Sequence, residues 1–113
     1  MLLDVTARYL VASLRTLARR QAALAGNLAN AHTPGYARVD VDFGATLRAV
    51  WEDGSPDGVP AGGVAFLRAD GTEVDPELEA VEVARTALQA MAVTALLSTK
   101  LEMLRSAILE GRR

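Results

Sequence analysis

The chain has no cysteine, so it holds no disulfide framework and no thiolate metal site, and the redox compartment it works in leaves no mark on it. It has one histidine, His32, with no second imidazole or thiol to join it. Asp40 and Asp42 lie close enough in sequence to suggest a general base or a metal site with His32. A lone loop histidine is more often a solvated or capping group, however, and the two aspartates read better as turn and cap residues. No nucleophile motif and no glycine-rich phosphate loop accompanies them. The expectation is a chain that is not an enzyme and that carries no catalytic residue, cofactor or metal.

Other things are scarce as well. The aromatics are only Tyr9, Tyr36, Phe43, Trp51 and Phe66, so the apolar 50% of the chain is mostly Ala, Leu and Val. Such side chains suit helix seams better than a core built on large anchors. There is no basic excess: the net charge is -2, with arginines at Arg8, Arg15, Arg19 and Arg20 and acid concentrated over 70–82. A general nucleic-acid binder would show the opposite balance. The uncharged run over 86–99 has 14 residues, against about 20 for a bilayer-crossing helix, which predicts no transmembrane span. The opening Met1-Leu2-Leu3-Asp4-Val5-Thr6-Ala7-Arg8 lacks a basic start, an apolar run and a small-residue cleavage site, so no cleaved signal peptide is expected. At 113 residues the chain is one domain's worth.

A clear period occupies the first thirty residues. Leu3, Ala7, Leu10, Leu14, Leu17, Gln21, Leu24, Leu28 and Ala31 step by alternating fours and threes, the 3.5-residue repeat of a coiled-coil seam. Gln21 alone breaks its apolar character, either as a device that fixes register or as a glutamine tolerated at a splayed position. Arg15, Arg19 and Arg20 fall on other faces, where a solvated surface is the default reading and a partner-binding patch the alternative.

The stretch Asn27-Leu28-Ala29-Asn30-Ala31-His32-Thr33-Pro34-Gly35-Tyr36 should end this helix. Asn30 tolerates the left-handed conformation that closes helices, and Pro34 pushes Thr33 out of the helical region. Thr33-Pro34-Gly35-Tyr36 then fits a type II turn, proline fixing the first central dihedral and glycine supplying the positive one. Beyond it the alternation of Val39-Asp40-Val41-Asp42 predicts an extended segment. Asp42 can cap a short helix over 43–51, in which Phe43, Leu47, Val50 and Trp51 share a face. Residues 52–63 are dense in breakers and read as a mobile connector. A brief strand over 64–67 and a turn at Asp70-Gly71 follow.

Asp75 can cap the orphan amides of a second long helix, with Pro76 in the favoured first position. Glu77, Glu79 and Glu82 put negative charge where the helix dipole favours it, and Arg105, Arg112 and Arg113 lie toward the other end. Two apolar series run along this helix, one of Val81, Ala84, Leu88, Met91 and Ala95 and one of Leu97, Leu101, Leu104 and Ile108. Together they form a face wider than a two-helix seam, which implies contact with more than one neighbouring helix. At about 1.5 Å per residue the helices over 3–30 and 76–110 would be about 42 and 52 Å long. The expected fold is all-α: two long antiparallel terminal helices in a coiled-coil-like hairpin, with a middle that is short, irregular or extended, and briefly helical. We take 1–113 as a single domain, divided into a first helix (1–31), a turn, short helix and connector (32–74), and a closing helix (75–110). The closing helix alone has more apolar surface than its partner covers, so other subunits should bury the remainder.

These residues together resemble the axial proteins of the bacterial flagellum, and within that family its proximal rod members. The resemblance rests on a first helix ending Asn27-Leu28-Ala29-Asn30, the Thr33-Pro34-Gly35-Tyr36 turn, Asp40-Val41-Asp42-Phe43, Val74-Asp75, and a closing Met103-Leu104-Arg105-Ser106-Ala107-Ile108. It covers roughly residues 1–51 and 70–110. It implies a structural subunit of the basal-body rod that polymerises through its terminal helices into a torque-transmitting shaft. It also implies export through the flagellar type III channel, and as partners other rod subunits, ring and adaptor proteins and the export apparatus. By position, Asn27, Asn30, Thr33, Pro34, Gly35 and Tyr36 would shape an assembly junction, with Asp42 and Phe43 locking the segment after it. The helix seam would comprise Leu10, Leu14, Leu17, Gln21, Leu24 and Leu28 with Leu88, Met91, Leu97, Leu101, Leu104 and Ile108. His32, Thr86 and Ala90 depart from the family pattern, standing where an acidic or amide residue, Asn and Tyr are usual, and the middle segment is shorter. The runner-up is a cytosolic helical-hairpin adaptor that dimerises through the heptad helix, which explains the seam but not the turn.

Overall fold

The computed structural model describes residues 4–53, 65–67 and 74–111. Helix α1 spans Val5–Ala29, strand β1 Val39–Val41, helix α2 Phe43–Asp53, strand β2 Ala65–Leu67 and helix α3 Pro76–Glu110. The two long helices form an antiparallel hairpin. Lys100 Nζ sits 2.7 Å from Asp4 Oδ2 at one end, while Asn27 meets Glu79 at the other. The molecule is elongated, 65 × 27 × 15 Å, as one 35-residue helix of about 52 Å requires.

Each helix starts where its sequence supplies a cap. Asp4 accepts the Ala7 amide at 2.9 Å, Asp42 the Ala45 amide at 2.9 Å, and Asp75 the Glu77 amide at 3.0 Å, with Pro76 behind it. The end of α1 differs from the sequence expectation. Asn30 is not left-handed but at φ -106°, ψ 16°. It closes the helix with its side-chain amide, which donates to Gly26 O at 2.8 Å, while its backbone N–H reaches Gly26 O and Asn27 O. Once the side chain satisfies a last-turn carbonyl, the left-handed reversal is not needed there. The positive dihedral falls instead on Gly35, at φ 76°, and Tyr36 N–H closes the turn on Thr33 O at 3.2 Å.

β1 and β2 pair antiparallel, Val39 opposite Leu67 and Val41 opposite Ala65. The expected helix over 43–51 extends to Asp53. The connector expected over 52–63 overlaps α2 at Glu52 and Asp53 and otherwise lies outside the described residues, as does the Asp70-Gly71 turn. α2 packs along α1, where the Tyr9 and Trp51 rings are 5.0 Å apart and tilted by 41°.

The core is thin and half polar. Its largest fully buried side chains are Leu17, Leu24 and Val50 together with Glu79, Asn27, Thr16, Thr46 and Thr86. The threonines are tolerated because each hydroxyl donates to the carbonyl four residues back: Thr16 to Ala12, Thr46 to Asp42, Thr86 to Glu82.

The two sides of the predicted seam fare differently. On α1, Ala7, Leu17 and Leu24 are buried and Leu10, Leu14 and Gln21 half-buried, while Leu28 is 40% exposed. On α3 the stripe turned to α1 is Glu79, Val83, Thr86, Ala90, Val93, Leu97, Lys100 and Leu104. At about 100° per residue Leu88 lies about 180° and Met91 about 130° round the helix from it, and they are 66% and 67% exposed. Within one chain they are therefore not seam residues. Leu101 and Ile108 are also largely exposed, beyond the Asp4–Lys100 pair that marks the capped start of α1. Of the predicted α3 seam residues Leu97 and Leu104 lie on this inner stripe, whereas its other members escaped notice because they are polar or small. By length and composition α3 passes as a membrane-crossing helix, with an 18-residue window of mean hydropathy 1.3, although its 14-residue uncharged run predicts no span.

Candidate functional site

The junction at the end of α1 is built around Asn27, which faces the strand and is fully buried. Its amide engages both backbone groups of Val39, accepting the N–H at 3.0 Å and donating to the carbonyl at 2.6 Å, so it acts as a one-residue β-partner for β1. The amide nitrogen also lies 3.4 Å from Glu79 Oε2, and Tyr36 O–H reaches the amide oxygen at 3.5 Å. One side chain thus joins α1, the turn, β1 and α3.

Around it lies a chain of five charges. Arg20, from α1, donates through Nε to Asp40 Oδ1 at 3.0 Å and through Nη2 to Glu82 Oε2 at 2.9 Å, with Nη1 3.3 Å from Thr86 Oγ1. Arg38, from the segment entering β1, donates through Nε to Glu79 Oε1 and through Nη2 to Asp40 Oδ2 at 3.2 Å. The Glu79 side chain is only 2% exposed and that of Asp40 7%. Two guanidinium groups therefore hold three carboxylates, each arginine bridging two of them, in the planar multi-donor manner that lysine cannot reproduce. Burial pushes the Asp40 carboxyl up, but hydrogen bonds from Arg20 and the Val41 amide, with the charges of Arg20 and Arg38, hold it below the usual carboxylate range. Arg20 is held more firmly protonated, chiefly by its hydrogen bond to Asp40. Burial works against the charge on Arg38, and Glu79 and Asp40 outweigh it.

Of the predicted junction residues, the structure brings Asn27 and Tyr36 into this clasp and gives Asn30 and Asp42 the work of helix caps. Thr33, Pro34 and Gly35 form the exposed turn, with Thr33 Oγ1 3.1 Å from Asn30 Oδ1, and Phe43 is half-buried at the start of α2. His32 is exposed beside them. Sequence reasoning missed Arg20, Arg38, Glu79 and Glu82 as partners, and assigned Asp40 to a turn. A usable signal was present: Arg38 and Asp40 are two apart on one strand face, and Glu79 and Glu82 three apart on one helix face. Among the described residues no group of three or more His, Cys, Asp or Glu side chains is placed to hold a metal ion. The clasp is acceptor and donor matched, and its chemistry is that of a fastener between elements.

A flagellar basal body rod protein FlgB of Escherichia coli (strain K12) is 44% identical over 52 residues, 46% of this chain and 38% of that protein. The chain is similar to FlgB. The Salmonella typhimurium FlgB is 43% identical over 64 residues, covering 57% of this chain and 44% of its own length, and that of Yersinia enterocolitica 41% over 56 residues, 50% and 41%. The chain thus spans about two fifths of the length of the FlgB relatives it matches. No family model matches it.

Proposed function

We propose that this chain is a structural subunit of the bacterial flagellar basal-body rod, of the proximal FlgB kind, and that it polymerises through its terminal helices into the shaft that transmits torque. One observation carries the reading: α3 has filled its α1-facing stripe, yet Leu78, Val81, Leu88, Met91, Leu96 and Met103 are all more than half exposed. A row of large apolar side chains along about 40 Å of helix marks an interaction surface, and the FlgB similarity supplies neighbours to cover it. Those neighbours are other rod subunits and the ring and adaptor proteins of the basal body. The predicted turn residues Thr33, Pro34 and Gly35 stand exposed beside the clasp as a second contact. In this reading the subunit works in the periplasmic rod and reaches it through the flagellar export apparatus.

The test is a pair of substitutions on the exposed face, Leu88→Glu and Met91→Glu. Both sites are solvated in the single chain, so helix content and melting should stay unchanged while incorporation into basal bodies and swimming are lost. Normal rods in the double variant would overturn the reading. A stable, fully helical dimer of the purified chain at micromolar concentration would favour the hairpin adaptor instead.

A further inference from the structure

We infer that the clasp is a pairing sensor: β1 and the Thr33–Tyr36 turn take their places only when α1 and α3 are paired in this register. The inference follows from who supplies the charges. Strand-side Arg38 has its carboxylates on α3, at Glu79, and within β1, at Asp40. Asp40 is held by Arg20 of α1, and Arg20 reaches on to Glu82 and Thr86 of α3. No two of the three elements satisfy the set.

Consider each incomplete state. With β1 docked on α1 alone, Arg38 has lost Glu79, and Arg20 has lost both Glu82 and Thr86. With the helices paired and the strand away, Glu79 and Asn27, both buried in the closed fold, have lost respectively the guanidinium and both backbone partners. A buried charge or amide stripped of its partner is strongly unfavourable, so the incomplete states are sparsely populated and the three elements close together. Gln21 adds a register mark beside the clasp. Its Nε2 donates to the Val83 carbonyl at 3.1 Å. A slip of α3 by one heptad would bring Thr86, Ala90 and Val93 into the places of Glu79, Val83 and Thr86, and the strand would find no carboxylate. The consequence for assembly, that the turn is presented only by a correctly closed hairpin, rests on the rod reading. The coupling itself is read on the isolated chain, so either idea can fail without the other.

The experiment is amide hydrogen exchange on the whole chain. Because it has no cysteine, Asp4→Cys with Lys100→Cys makes a unique pair for a bismaleimide cross-link at the far end of the hairpin. That site is 18 residues of α3, about 27 Å, from Glu82. Closing the hairpin there should slow exchange of the Val39 amide, bonded to Asn27 Oδ1, by about tenfold or more, if the strand opens only with the helices. In an Arg38→Met background the stem is retained and the charge lost. The same cross-link should then slow the α3 amides as before but the Val39 amide by less than about threefold. Unchanged exchange at Val39 on cross-linking overturns the inference, because the strand then opens independently. An equal slowing with and without Arg38 also overturns it, because the coupling then bypasses the clasp.

Discussion

Replacing Asn27 by alanine tests how the middle of the chain is attached to the helices. The substitution keeps a good helix former within α1, so propensity favours it slightly. What it removes is the pair of hydrogen bonds to the Val39 peptide group, at 3.0 and 2.6 Å, and the longer contacts to Glu79 and Tyr36. Each half-buried backbone group left without its partner costs about 1–2 kcal/mol, and the void at a fully buried site adds a further fraction, giving about 2–4 kcal/mol in all. For a chain of this size that lowers the melting temperature by about 8–16 °C. With a urea slope of about 1.5 kcal/mol/M the midpoint falls by about 1.3–2.7 M. The assay is urea unfolding followed by far-ultraviolet circular dichroism, with exchange of the Val39 amide as the local probe. Asn27→Asp is the control. It keeps an acceptor for the Val39 N–H but faces a lone pair toward the Val39 carbonyl and a negative charge toward Glu79, so it should be at least as damaging. A loss below about 0.5 kcal/mol for the alanine variant, the level of an ordinary surface change, would refute the clasp as an attachment point.

Three further outcomes follow from the same geometry. Folding holds the Asp40 carboxyl below its ordinary value, so its contribution is fully present above the unfolded pKa and fades as pH falls through the folded one. Stability should be level between about pH 5 and 7 and drop below about pH 4, and Asp40→Asn should be weaker at neutral pH with a flatter acid limb, as measured by urea midpoints across pH. Leu24→Asp places an unpaired carboxylate at a fully buried seam position and should abolish the folded hairpin, whereas Leu24→Ala costs about 2–4 kcal/mol. Thermal melts of the two distinguish charge from cavity. Gln21→Leu removes a buried amide oxygen that has no hydrogen-bond partner and should raise stability by up to about 1 kcal/mol while loosening register, visible as faster exchange at Val39 despite the higher melting temperature.

The hairpin was legible because its signals are local. Heptad spacing on α1, the aspartate caps at Asp42 and Asp75, Pro76 at a helix start and Gly35 in its turn each act within a few residues, and each stands where the sequence placed it. The clasp was not legible because the contacts that tie α1 to the strand and to α3 join residues 12 to 66 apart, as with Asn27 to Val39 and Arg20 to Thr86. Nothing in the neighbourhood of Arg20 distinguishes it from Arg15, which is exposed. The inner stripe of α3 hid for a related reason. Periodicity analysis looks for large apolar residues, and on α3, apart from Leu97 and Leu104, these sit mostly on the outside.

That inversion bears on what the hairpin is for. Where α3 meets α1 it offers Glu79, Val83, Thr86, Ala90 and Val93, while on the far side it carries Leu88 and Met91. A helix pair selected for stability as a single chain would do the reverse, since burying one leucine or methionine stabilises by about 1.5–3 kcal/mol. Here the intramolecular contact is rich in matched polar groups, which define one register sharply but contribute little net stability. The larger apolar gain is left for whatever covers the outer face. On the proposed rod reading, the chain would fix its own geometry with directional bonds first and draw its burial from neighbours afterwards. It also predicts an order of sensitivity: substitutions in the clasp should disturb the isolated subunit, whereas substitutions at Leu88 and Met91 should leave it unchanged and appear only in the assembled state.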